Sequence, residues 1–178
     1  ILTIGEIVRK MEERVITVTG ARSANRLGYT MNSFGVQFAE VEVNTETGQV
    51  KVLKIIAAHD IGRVLNRKLL DNQFHGGIIQ GIGFALMEQR VIDRNTGKVL
   101  TTNLHDYKVP TMKDTPEIEV IIVSEGDEII SNTGVKGIGE PATIPTAAAI
   151  ANAVANAIGV RIKSLPITPD KVLNALHG

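Results

Sequence analysis

The 178-residue sequence contains no cysteine and no tryptophan, and aromatic residues make up only 3% of it. Without cysteine, disulfides and thiolate metal sites are excluded, and a reducing cytoplasm is compatible with the composition. With so few rings, the core must be aliphatic and built on close Ala and Gly contacts. The 43% of apolar residues suffices for that. Nineteen basic and nineteen acidic residues cancel, and no run of like charge stands out. Nucleic acid and anionic membrane surfaces are therefore poor matches as main partners. No apolar stretch reaches membrane-spanning length, and no signal-peptide pattern is present. The chain opens Ile1-Leu2-Thr3-Ile4 instead of on Met, with a helix-like pattern at once. The expectation is that residues 1–178 are one portion of a longer polypeptide or a split subunit.

What is present reads as mixed helix and strand. Thr3 and Glu6 have capping-box spacing, and Ile4, Ile7, Val8 and Met11 recur on one face, which predicts a helix over about 4–13. Val15–Thr19 reads as a strand and Gly20–Ser33 as a loop. Phe34–Val43 and Val50–Ala58 are β-like runs joined by Asn44-Thr45-Glu46-Thr47-Gly48, a hairpin signature. Asn66 is placed to cap a helix over about 67–88. A second hairpin is expected between 88–93 and 98–102, and strands at 118–124 and 160–162. The Ala-rich run Thr146–Ile158 ends at Gly159, and Thr168-Pro169 opens a final helix. The fold class is α+β: mixed or antiparallel sheets with β-hairpins packed against a Gly-rich helix and an Ala-rich helix. No linker divides residues 1–178 into two domains.

Two stretches are candidates for chemistry. The first is Gln73-Phe74-His75-Gly76-Gly77-Ile78-Ile79-Gln80-Gly81-Ile82-Gly83, inside the long helix. Four glycines in eight residues each cost about 1 kcal/mol relative to Ala, so the helix backbone must gain a close approach to something. Gln73, Gly76, Gly77 and Gln80 share a face by spacing. Tight helix packing and a close-approach amide surface for a ligand both account for it.

The second is Gly134-Val135-Lys136-Gly137-Ile138-Gly139-Glu140-Pro141, which places one carboxylate at the end of a Gly-rich loop before the Ala-rich helix. Pro141 suits a first helical position. The loop is neither a Walker A sequence nor a dinucleotide fingerprint. It still gathers backbone N–H groups and Lys136 in one place, suited to anionic or carbonyl-rich ligands. Glu140 reads either as a helix-start carboxylate or as a general base. His59 and His75 lack a partner at zinc-site spacing and read as structural or surface residues. Asp106 and Tyr107 read as local hydrogen-bonding groups. No nucleophile-elbow sequence occurs.

Together these segments resemble the C-terminal part of the molybdopterin-binding (large) subunit of the xanthine dehydrogenase/aldehyde oxidase family, the molybdenum hydroxylases. The resemblance runs from about Thr30 onward. It is carried by Phe34–Val43 with Thr47-Gly48, Asp60-Ile61-Gly62, Asn66, Gln73–Gly83, Asp106-Tyr107-Lys108-Val109-Pro110 and Lys136–Pro141, in the family's order and spacing.

The resemblance implies an oxidoreductase that hydroxylates an aldehyde or N-heterocycle (purine-like) carbon with water as oxygen source. Glu140 would act as general base on Mo–OH while hydride passes to Mo=S. Gln73 matches a position whose amide contacts the pterin, and Lys136, Gly137, Ile138 and Gly139 match a loop that wraps the cofactor. The metal has no protein ligand in this chain. The implied cofactors are molybdenum–molybdopterin or its cytosine dinucleotide form, with iron–sulfur clusters and FAD on partner domains or subunits. The implied partners are the rest of the molybdopterin subunit, an iron–sulfur subunit, a FAD subunit and a small-molecule substrate, in a cytoplasmic complex. The alternative is a non-catalytic assembly module of the same fold that has lost the cofactor.

Overall fold

A computed structural model describes residues 2–11, 17–21, 28–29, 32–123 and 126–178. The order of elements is α1 (Ile4–Lys10), β1 (Phe34–Val43), β2 (Val50–Asp60), α2 (Arg67–Leu86), β3 (Glu117–Ile122), α3 (Thr146–Ile158) and α4 (Pro169–His177). The expected α+β class holds. The first helix is shorter than expected, and its expected end, Glu12 and Glu13, lies outside the described residues. Its capping box is present: Glu6 N–H donates to Thr3 Oγ1 at 3.3 Å, and Thr3 N–H to the Glu6 carboxylate at 2.7 Å. Of the expected strand at 15–19, Val15 and Ile16 are not described, and Thr17–Thr19 carry no strand.

Among the described residues the sheet has three strands in the order β1-β2-β3, with β1 antiparallel and β3 parallel to β2. The β1–β2 hairpin closes as its turn residues dictate. Asn44 Oδ1 accepts from the N–H groups of Glu46 and Thr47 at 2.9 Å, and Gly48 takes a φ of 73° that a side chain would resist. On the inner face of the hairpin, the cross-strand pairs are Gly35 with His59, Gln37 with Ala57, Ala39 with Ile55 and Val41 with Val52. The small residues in that row let the Ala-rich α3 lie against β1. Phe34 and Phe38, on the other face, are 70% and 65% exposed.

Helix α2 begins where Asn66 Oδ1 accepts from Leu69 N–H at 3.1 Å, and Arg67 donates to the Val120 carbonyl of β3 at 3.2 Å. Its buried stripe of Phe74, Ile78 and Ile82 joins Ile55 and Ala57 of β2, Ile150 and Val154 of α3, and Val172 of α4 in one core that is aliphatic but for Phe74. Helix α3 stops at Gly159, whose φ of 77° closes a left-handed cap, and Thr168-Pro169 starts α4 as expected.

Three expectations are corrected. The second hairpin reduces to a turn with one bridge, Ile92 to Val99. Val91, Ile92 and Leu100 stay exposed, so no covered apolar face stabilises longer strands. Residues 160–162 form no strand. Helix α3 begins at Thr146, not at Pro141, because a helix running through both would need a Pro145 N–H for the residue 141 carbonyl. Residues 139–145 are a succession of turns instead.

Candidate active site

The two stretches singled out by sequence meet in space. A recess of about 240 Å³ is lined by Asn66, Leu69 and Gln73 of the α2 entry and by Val135, Lys136 and Ile138 of the Gly-rich loop, with Ile61 and Arg63 between them. The loop is brought there by the end of β2. Gly62 bridges Val135, Arg63 N–H donates to the Gly134 carbonyl at 2.7 Å, and Lys136 N–H donates to the Ile61 carbonyl at 2.9 Å. Ser33 Oγ holds the far side, donating to the Gly137 carbonyl at 2.6 Å.

Lys136 is drawn into the fold and not offered outward. Its side chain is 8% exposed, and its ammonium lies 2.7 Å from Asp60 Oδ2 and 3.3 Å from Asp127 Oδ2. The hydrogen bond to Asp60 raises its pKa above the ordinary lysine value, with burial opposing and Asp127 assisting. The ammonium ties the end of β2 to the loop ahead of Glu140. Neither acidic partner was anticipated, since Asp60 is 76 positions from Lys136 and no local pattern joins them.

The N–H groups of Gly137, Ile138 and Gly139 have no partner among the described residues. Free backbone donors in succession suit a ligand rich in carbonyl, ring-nitrogen or phosphate acceptors. The glycine-rich helix divides its roles. A Cβ on Gly77 would lie 2.7 Å from Ala142 Cβ, and one on Gly81 would lie 2.5 Å from Thr146 Cβ. Those two glycines serve close packing within the chain. Gly76, in contrast, faces open space, and Gln73 and Gln80 beside it are exposed. The shared face read from spacing thus loses Gly77 and keeps Gln73, Gly76 and Gln80.

Glu140 is exposed, and its side chain has no hydrogen-bond partner among the described residues. Its carbonyl accepts from Thr143 N–H at 2.8 Å and Ile144 N–H at 3.2 Å, closing the turn after it. His75 is on the surface, with Nδ1 2.7 Å from the Asp71 carbonyl. Asp106 accepts from Asn103 at 2.9 Å, the local role expected of it, whereas Tyr107 donates at 2.7 Å to Glu88, 19 positions away.

A buried polar cluster behind Glu140 was missed by sequence. Gln37 is 6% exposed, and His59 and Thr146 are fully buried. Gln37 Nε2 donates to the Ala142 carbonyl at 2.8 Å, and Thr146 Oγ1 donates to Gln37 Oε1 at 2.6 Å. The polar position in the middle of an apolar strand was the available signal. Burial depresses the His59 pKa below 6.5, and its ring meets Phe74 edge-on at 4.9 Å.

The family described as Molybdopterin cofactor-binding domain matches residues 2–116, and the chain belongs to it. Within that family it is similar to the xanthine dehydrogenase molybdenum-binding subunit of Escherichia coli O157:H7, with 44% identity over 82% of this chain and 19% of that protein. It is also similar to the aldehyde oxidoreductase molybdenum-binding subunit of Escherichia coli K12, with 40% identity over 83% of this chain and 20% of that protein. The crystallised aldehyde oxidoreductase of Desulfovibrio gigas superimposes with a TM-score of 0.74 at 34% identity, covering 82% of this chain and 16% of that one. The chain thus spans about one fifth of the length of the curated relatives it matches. The family match contains Gln73 and ends before the loop that carries Glu140.

The residues present fit a pterin. Gln73 offers an amide at the rim of the recess, Gly76 leaves bare backbone next to it, and the loop offers unpartnered N–H groups. Among the described residues no three His, Cys, Asp or Glu converge on one point. What this chain offers a cofactor is therefore hydrogen bonding and close backbone approach.

Proposed function

We propose that this chain is the Glu140-bearing portion of the large subunit of a molybdenum hydroxylase. The enzyme hydroxylates an aldehyde or N-heterocycle carbon with oxygen from water. The observation that carries the reading is the meeting of Gln73 with the 136–138 loop around one recess, ahead of Glu140. Gln73 and the N–H groups of Gly137, Ile138 and Gly139 would hold the pterin, with Lys136 anchoring their loop through Asp60 and Asp127. The bound group supplies oxygen transfer to carbon and accepts the electron pair.

Glu140 supplies the proton acceptor. A carboxylate oxygen takes the proton released as the attacking oxygen is activated and returns it later in the cycle. Its exposure on this chain leaves it free to face a ligand and the remaining polypeptide. Iron–sulfur and FAD partners would carry the electrons away, and the small-molecule substrate would enter from the Glu140 side. Conversion of Glu140→Gln in the full-length enzyme, with molybdenum content matched to wild type, tests the assignment. The expected loss of turnover is about 100-fold or more. Retention of more than about a tenth of the activity is incompatible with a positioned base and would favour the non-catalytic assembly role.

A further inference from the structure

The turn that follows Glu140 is held by a side chain from far along the chain. Ala142, two residues beyond Glu140, is fully buried, and α2 presses on it at Gly77, where no side chain intervenes. From the opposite side, Gln37 of β1 donates to its carbonyl across 105 positions. Thr146 Oγ1 is 3.3 Å from the same carbonyl but 2.6 Å from Gln37 Oε1. A hydroxyl has one hydrogen, and the shorter contact takes it. The Gln37 amide is thereby fixed in orientation, with Oε1 toward Thr146 and the NH2 toward Ala142.

The other hydrogen of that NH2 points to His59, whose Nε2 is 3.5 Å away. An amide NH2 can only donate, so this arrangement requires an unprotonated His59 Nε2, with the ring proton on Nδ1. Nδ1 is buried and has no hydrogen-bond partner among the described residues. It sits beneath Gly35, where a Cβ would overlap the imidazole. The cluster therefore includes an unsatisfied buried group, which is costly unless the arrangement it enforces is needed. Among the described residues, its hydrogen-bonded link toward Glu140 is the Ala142 carbonyl. From there the chain runs back through Pro141 to Glu140, whose own carbonyl is closed upon by Thr143 and Ile144.

We propose that Gln37, oriented by Thr146, is a positioning residue that sets the 140–144 turn and so the place of the Glu140 carboxylate. The proposal rests on the reading of Glu140 as proton acceptor. Misplacing a reacting group by about 1 Å costs up to 100-fold in rate, so a lost anchor registers in turnover before it registers in binding.

The experiment uses the full-length enzyme with Gln37→Leu, Thr146→Val and Thr146→Ser, each compared with Glu140→Gln. Amide hydrogen exchange at Thr143 and Ile144 reports the turn directly. In Gln37→Leu and Thr146→Val it is expected to quicken roughly tenfold or more as the turn opens locally. At matched molybdenum content, kcat is expected to fall by about tenfold or more with KM within about twofold. Thr146→Ser keeps the hydroxyl and is expected to keep both readouts, which guards against a variant that merely fails to fold. Unchanged exchange in both Gln37→Leu and Thr146→Val overturns the anchor, whatever Glu140→Gln does. Faster exchange with unchanged kcat, while Glu140→Gln is inactive, overturns its role in positioning. An active Glu140→Gln overturns the base reading instead, whatever the Gln37 variants show.

Discussion

Lys136 Nζ lies 2.7 Å from Asp60 Oδ2, at the point where β2 ends and the Gly-rich loop begins. With Asp127 at 3.3 Å, one ammonium answers two carboxylates, and both the side chain and the N–H of Lys136 are used within the fold. Lys136→Met is therefore expected to act first on stability. Removing the cation leaves Asp60 and Asp127 facing each other at a partly buried site, a cost of about 2 kcal/mol. Thermal denaturation of the full-length enzyme measures it. A variant that melts like wild type but loses its pterin would show instead that the ammonium reaches the cofactor.

The glycines of α2 are expected to separate into two classes. In Gly81→Ala the new methyl meets Thr146, itself fully buried, and overpacking of about 1–3 kcal/mol exceeds the gain of about 1 kcal/mol in helix propensity. In Gly76→Ala nothing within 4 Å opposes the methyl, so the cofactor-free enzyme is expected to be stabilised by up to about 1 kcal/mol. If the cofactor lies against Gly76, the same substitution lowers pterin content. Melting curves of both variants, with and without cofactor, decide the matter. Equal effects of the two substitutions would contradict the division.

How much of this was legible in the sequence depended on range. The first hairpin was readable because Asn44 and Gly48 fix its turn locally, and α2 and α3 because Asn66 and Gly159 mark their ends. The buried side of β1 was not. Alternation sets Phe34, Val36 and Phe38 on one face, and by hydrophobicity alone that face belongs inside. The fold turns Gly35, Gln37 and Ala39 inward instead, with Gln37 buried and the other two half-buried, since α3 needs small residues to approach β1, and Phe34 and Phe38 stay outside. At the site, Gln73 and the 136–140 loop were found from close-approach chemistry and family resemblance. Asp60, Gln37 and Thr146 were not, because their partners lie far along the chain, and Asp127 was not, because no local pattern joins a loop carboxylate to Lys136.

Gln73 sits at the rim of the recess with its amide exposed, where it contributes little to the stability of the chain. Gln73→Leu is expected to leave the melting temperature of the cofactor-free enzyme nearly unchanged, within the roughly 0.5 kcal/mol typical of surface changes. It is expected to reduce the pterin retained after purification, because a cofactor group that met the amide is left unpaired. Fluorescence of the released, oxidised pterin quantifies the difference. Full retention would remove Gln73 from the cofactor contacts.

His59 supplies a prediction with a definite sign. Its imidazole is fully buried, and burial holds its pKa below the ordinary 6.5. At pH well above 6.5 the ring is neutral whether the chain is folded or not, and stability owes nothing to its titration. As pH falls below that value the unfolded chain binds a proton that the folded chain refuses, so stability falls with pH until the depressed folded value is reached. The slope over that window approaches about 1.4 kcal/mol per pH unit at most. A protonated ring would also turn a second N–H toward the Gln37 NH2, which has no lone pair to receive it. Thermal inactivation of the full-length enzyme between about pH 5.5 and 7.5, the range around the ordinary histidine value, is compared in wild type and His59→Gln. The variant is expected to be less stable near neutrality, having lost its contact with Phe74, yet flatter in its response to acid. Parallel pH curves would show that His59 takes up its proton as readily in the folded chain as outside it.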